Sequence, residues 1–121
     1  MASRWVRAQD APSRKPLIWV GSTQRDVRQF PDEARHQIGQ ALRYVQWGEM
    51  PKDVAPMKAV GAGCYEICTQ TAEGWWRVLY VARFAEGVYV IHAFQKKTNK
   101  TPADVMRLAR ERYQELEAIR R

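Results

Sequence analysis

A short list of residues in this chain could handle an anion. Arg77 sits inside the strand-like run WWRVLYVARF, where its forked guanidinium could hold two oxygens at once. His92 follows in VYVIHAF, and an imidazole can move protons near neutral pH. Lys96, Lys97 and Lys100 come next, in HAFQKKTNKTPADV, where an apolar run gives way to a helical pattern. Backbone N–H groups in the first turn of a helix attract anions, and the helix dipole disfavours added cations there. An anion between the lysines and the helix start would resolve that conflict, whereas a solvated basic turn would leave it to water. Arg77 also has two readings, a phosphate partner or a structural salt bridge to Glu66, and the residues alone favour the salt bridge. A single histidine on a largely apolar strand is more often a core residue than a catalyst.

These side chains must be positioned by one small domain. The chain has 121 residues, of which 45% are hydrophobic and 11% aromatic, enough for one modest core. Lys and Arg outnumber Asp and Glu by 20 to 13, a formal charge of +7 that points to a polyanionic partner. No apolar stretch reaches the roughly 20 residues that span a bilayer, because Arg77, Arg83 and Glu86 interrupt the candidates. No membrane partner is expected. The opening MASRWVRAQDAPSRKP lacks a signal-peptide core, so residues 1–14 read as a flexible arm and the cytoplasm as the expected location. Cys64 and Cys68 share one strand-like segment, which sets their Cα atoms roughly 13 Å apart, beyond the roughly 7 Å reach of a disulfide. With only His36 and His92 elsewhere, a zinc site is not indicated, and both thiols read as small buried side chains.

KPLIWVG suits a first strand. Thr23 with Asp26 reads as a capping box opening a short helix to about Phe30, where Pro31 interrupts. Ala34, Ile38, Ala41, Leu42 and Val45 then form one apolar stripe, ended by Gly48 and Pro51. EMPKDVAPMK reads as a loop. Three strands follow, separated by tight Glu-Gly turns, with GAG marking a bend before the first. Thr101 can cap a closing helix with Pro102 in its first position and Val105, Met106, Ala109, Tyr113 and Leu116 along its buried side. The order β-α-α-β-β-β-α predicts an α+β fold: one mostly antiparallel sheet, a helical hairpin on one face and a C-terminal helix. The first strand, reached by a crossover, can lie parallel to a neighbour.

GWWRVLYVARFAEGVYVIHAFQKKTNKTPADVMRLARERYQEL resembles the phage-derived, HigB-like branch of the RelE/ParE toxin superfamily. The hallmark is a Phe-x-Lys-Lys run followed by a Thr-Pro helix start, here Phe94, Lys96, Lys97, Thr101 and Pro102; GAGCYEI is similar to the strand that precedes it. The likeness covers residues 15–121 as a single RelE-like domain. It implies a type II toxin that inhibits translation and growth until neutralised by a cognate antitoxin, commonly one with a helix-turn-helix DNA-binding domain. It further implies an endoribonuclease acting on mRNA, often on the ribosome, with no metal or organic cofactor. In that chemistry a ribose 2′-OH attacks its own adjacent phosphate, so a base, a balance for phosphorane charge and an acid for the leaving oxygen are needed. By position the resemblance makes Arg77 the phosphate-stabilising residue and Lys96 and Lys97 its charge partners. It places Lys58, Arg83 and Lys100 in RNA binding. His92 is the candidate acid or base, and Glu66 is either a base or the partner of Arg77.

The chain departs from the family at two points. Cys68 stands where relatives often carry arginine, and no tyrosine lies near the start of the last helix, since Tyr113 fits the core stripe. Two other functions share the fold: a ParE-like inhibitor that binds DNA gyrase, and a degenerate toxin that retains only antitoxin binding. Trp5, Trp19 and Trp47 are apolar surfaces that an antitoxin could cover.

Overall fold

The computed structural model describes residues 14–97 and 101–119, so Lys100, Trp5 and nearly all of the predicted arm lie outside the described residues. Its elements are β1 (Leu17–Trp19), α1 (Thr23–Arg28), α2 (Asp32–Gln46), β2 (Val54–Pro56), β3 (Cys64–Thr71), β4 (Gly74–Val81), β5 (Val88–Lys96) and α3 (Ala103–Ile119). The five strands form one mixed sheet in the order β1-β5-β4-β3-β2. Only β1 runs parallel to its neighbour, as its crossover through the helices requires. Arg77 therefore stands on the central strand.

α2 forms because its apolar side chains recur on one face. Ala34, Ile38, Leu42 and Val45 are buried there, Asp32 and Glu33 meet the positive N-terminus, and Gly48 closes the helix at φ +84°. That face packs against Val78, Tyr80, Val88 and Val90 of the sheet. α3 lies on the opposite face, where Ala109, Tyr113 and Leu116 meet Leu79, Val81 and Ile91. The sheet is thus sandwiched between two apolar layers. Gly61 lets the second layer close: a Cβ there would lie 2.3 Å from the Tyr113 ring, whose hydroxyl donates to the Ala62 carbonyl at 2.6 Å.

Three local expectations need correction. The segment read as a loop contains β2, whose three residues are too few to show alternation and whose Pro56 is tolerated at a sheet edge. The α1 cap position belongs to Ser22, whose hydroxyl bonds Asp26 at 2.8 Å, while Thr23 is buried and donates to the Val90 carbonyl. Pro102 precedes α3 by one residue, and its carbonyl accepts the first helical bond from Met106.

One irregularity governs everything downstream. In the β4–β5 ladder Tyr80 pairs with Val90 but Leu79 pairs with His92, so Ile91 is an extra residue in β5. Val88, Val90 and Ala93 contact the α2 layer, while Ile91 and Phe94 contact the α3 layer. Ile91 and His92 consequently point the same way, and the parity of the strand reverses. The displaced Ile91 carbonyl accepts a bond from Arg112 of α3 at 2.9 Å. Gly21, at φ +59°, makes room, since a Cβ there would meet the Arg112 guanidinium at 2.7 Å.

Candidate functional site

On the α3 side of the sheet, the paired strands set out three rows of side chains. Glu66, Leu79 and His92 form one row, Cys68, Arg77 and Phe94 the next, and Gln70, Trp75 and Lys96 the last. Directly opposed residues sit about 5 Å apart and successive rows about 6.7 Å apart. Helix α3 packs over the first row at Leu79 and the adjoining Ile91, and Phe94 lies partly buried against the same cluster. The last row is open, and Lys97 follows it, exposed, where β5 ends.

Arg77 is paired. Its Nη1 donates to Glu66 Oε1 across one diagonal of the sheet, with the two side chains 18% and 6% exposed. This is the structural partner that the residues alone favour. The pair is incompletely used, because Glu66 Oε2 and Arg77 Nε are buried and make no hydrogen bond among the described residues. A buried acceptor and a buried donor without partners each cost about 1–3 kcal/mol. The guanidinium carbon also lies 5.9 Å from the Trp75 ring centre.

Lys96 shares the face of Arg77 and pairs with Trp75 in the ladder. His92 shares that face as well, 8% exposed and stacked on Phe94 with ring centres 5.3 Å apart. Its Nδ1 lies 3.2 Å from Arg112 Nη1. A guanidinium can only donate, so Nδ1 is the acceptor and the proton of the neutral ring sits on Nε2. Burial, then the Arg112 charge, hold the imidazole below its ordinary pKa, against opposite pulls from Asp26 of α1 and Asp104 of α3. His92 ties α3 to the bulge.

A stability consequence follows from that shift. The unfolded chain binds the His92 proton at about pH 6.5 and the folded chain only at lower pH, so acidification through that window favours unfolding. His92→Gln removes this contribution. Thermal melts at about pH 7.5 and about pH 5 should therefore show the wild type losing more melting temperature than the variant. Equal losses would mean that His92 is protonated without penalty.

Arg83 and Lys58 are not brought to this site. Arg83 lies beyond the other end of β4, bonded to Glu117 at 2.9 Å and Tyr113 at 3.2 Å, with its guanidinium 4.3 Å from the Phe84 ring centre. Lys58 is exposed in the turn that leads from β2 toward Gly61, at that same end. Both are several residues of strand away from Arg77. The thiols are not nucleophiles in waiting: burial, then Glu66, push Cys64 up to about 12, and burial raises Cys68 despite Arg77 beside it. Among the described residues no group of three His, Cys, Asp or Glu side chains could hold a metal ion, and no helix is long and apolar enough to cross a membrane.

Trp75 and Phe94 frame Arg77 and Lys96, a role the sequence did not assign to either. Alternation within WWRVLYV does set Trp75 on the face of Arg77 and Trp76 on the other, and Phe94 opens the Phe-x-Lys-Lys run. Trp76 is core, packed on Phe30 with ring centres 4.7 Å apart and with its N–H donated to Thr71.

The sequence profile of the phage derived protein Gp49-like family matches residues 25–114, from within α1 to the buried part of α3 and across the whole site. No curated protein sequence matches the chain.

Proposed function

The chain belongs to the phage-derived Gp49-like family, a toxin-like family related to RelE and HigB, and on that premise we propose that it is the toxin of a type II toxin–antitoxin pair and cleaves mRNA. The observation that carries this reading is the Arg77–Glu66 pair beside the open row that holds Lys96, with one donor and one acceptor of the pair unpartnered. A ribose phosphate supplies both complements. Its phosphate oxygen accepts from the Arg77 guanidinium, and its 2′-OH donates to Glu66 Oε2.

Glu66 takes the 2′-OH proton as the 2′-oxygen bonds to phosphorus. Arg77 balances the charge that develops on the phosphorane oxygens. The bond from phosphorus to the 5′-oxygen breaks, and Lys96, on the same face, delivers the proton to that oxygen. The products are a 2′,3′-cyclic phosphate and a 5′-hydroxyl. Lys97 and Lys100 bind flanking phosphates, and each such contact makes affinity fall with salt. His92, its Nδ1 held by Arg112, positions β5 for this chemistry. The neutralising partner is a cognate antitoxin with a helix-turn-helix DNA-binding domain, and the substrate is mRNA on the translating ribosome.

Induced expression without antitoxin, with primer extension on abundant transcripts, tests the reading. Wild type should arrest growth and create new mRNA ends, and both effects should vanish in Arg77→Ala and in the Lys96→Ala/Lys97→Ala double variant. Arrest with intact mRNA would overturn the nuclease and point to a bound target such as gyrase.

A further inference from the structure

Trp75 is 44% exposed in the row next to that of Arg77, and the fold does not explain it. An indole carries one of the largest apolar surfaces of any side chain, and burying it is worth more than burying most others. Its neighbour Trp76 is buried and fully engaged. Trp75 instead lies between Gln70 on β3 and Lys96 on β5, each directly opposite it, with Arg77 one row behind. A flat aromatic surface flanked by two cations and an exposed amide suits a ligand that is at once anionic, flat and rich in hydrogen-bonding edges. A nucleobase in single-stranded RNA, joined to its phosphate, is such a ligand.

We propose that Trp75 is the stacking platform for the base next to the scissile phosphate, with the Gln70 amide against that base's edge. This rests on the nuclease reading for the identity of the strand, and it adds a base-binding subsite to it. Trp75 acts as a positioning residue: the stacked base fixes the ribose so that its 2′-OH lies at Glu66. Stacking tolerates every base but is strongest for purines, so Gln70 supplies the discrimination that the ring alone does not.

Binding of uncleavable 2′-O-methyl hexaribonucleotides, purine-rich and pyrimidine-rich, to purified full-length protein tests this apart from catalysis. Trp75→Ala should weaken binding by roughly 5- to 150-fold, the range for loss of one stacked base, while Trp75→Phe retains most of it. Melting temperatures of both variants should match wild type, since the ring packs in neither core. On cleavable RNA, Trp75→Ala should raise KM more than it lowers kcat, and Gln70→Ala should alter the base preference at the cut. Unchanged affinity in Trp75→Ala overturns the proposal even if wild type cleaves RNA normally. Loss of affinity in that variant upholds it even if no RNA is cut, in which case the nuclease reading alone fails. Wild type that binds neither oligonucleotide, with Trp75→Ala losing a protein partner instead, would also overturn it.

Discussion

Glu66→Gln is expected to slow RNA cleavage by about 10²- to 10⁴-fold, the usual worth of a general base, while leaving a folded protein. Glu66 is 5% exposed, and one of its carboxylate oxygens is held by Arg77. Glutamine has the same shape and keeps a carbonyl oxygen to accept from the guanidinium, so the contact survives and the proton acceptor does not. The measurement is single-turnover cleavage by purified protein, with a thermal melt as control. A rate within a few-fold of wild type would remove Glu66 from the mechanism and return the base to another group.

The second large effect separates the pair's structural role from its chemical one. Arg77→Met alone should lose about 3–5 kcal/mol of stability, because it leaves the Glu66 carboxylate buried without its counter-charge. Glu66→Leu/Arg77→Met should recover that loss, since apolar replacement of a whole buried pair is commonly neutral or stabilising by about 1–4 kcal/mol. Neither variant should cut RNA, with activity down by at least about 10²-fold for want of the group that balances phosphorane charge. Urea unfolding and growth arrest read the two properties side by side. A stable double variant that remains toxic would place the active chemistry elsewhere on the molecule. A double variant as unstable as the single one would show that packing, not the unpaired charge, decides stability at this position.

Much of this arrangement was legible in the sequence. The α2 stripe from Ala34 to Val45 and the three-strand meander announced themselves by periods of 3.6 and 2, because each element must bury one face. The salt bridge of Arg77 to Glu66 was the favoured of two readings for a cation on a central strand, and it is formed. What strict alternation misplaced was β5. Counted by twos, Val88, Val90, His92, Phe94 and Lys96 share one face, and Val88 and Val90 are buried beneath α2. The extra residue at Ile91 carries the last three to the face of Arg77, and a bulge leaves no mark in composition. The role of His92 was hidden for a related reason: its partner Arg112 is 20 residues away on a helix whose approach to the bulge is a tertiary fact.

The bulge also governs how the length of this strand can change. Within a regular stretch of β5, losing or gaining one residue turns every later side chain over, sending Lys96 inward and a core residue out. Losing Ile91 itself would leave Val90 and His92 on opposite faces in ordinary alternation, and Phe94 and Lys96 would keep their side of the sheet. The loss would be one apolar side chain from the α3 layer and one acceptor for Arg112. Over the history of such a chain, single-residue length changes in its final strand are therefore compatible with the charged face at this one place, and elsewhere in the strand only changes by two preserve it.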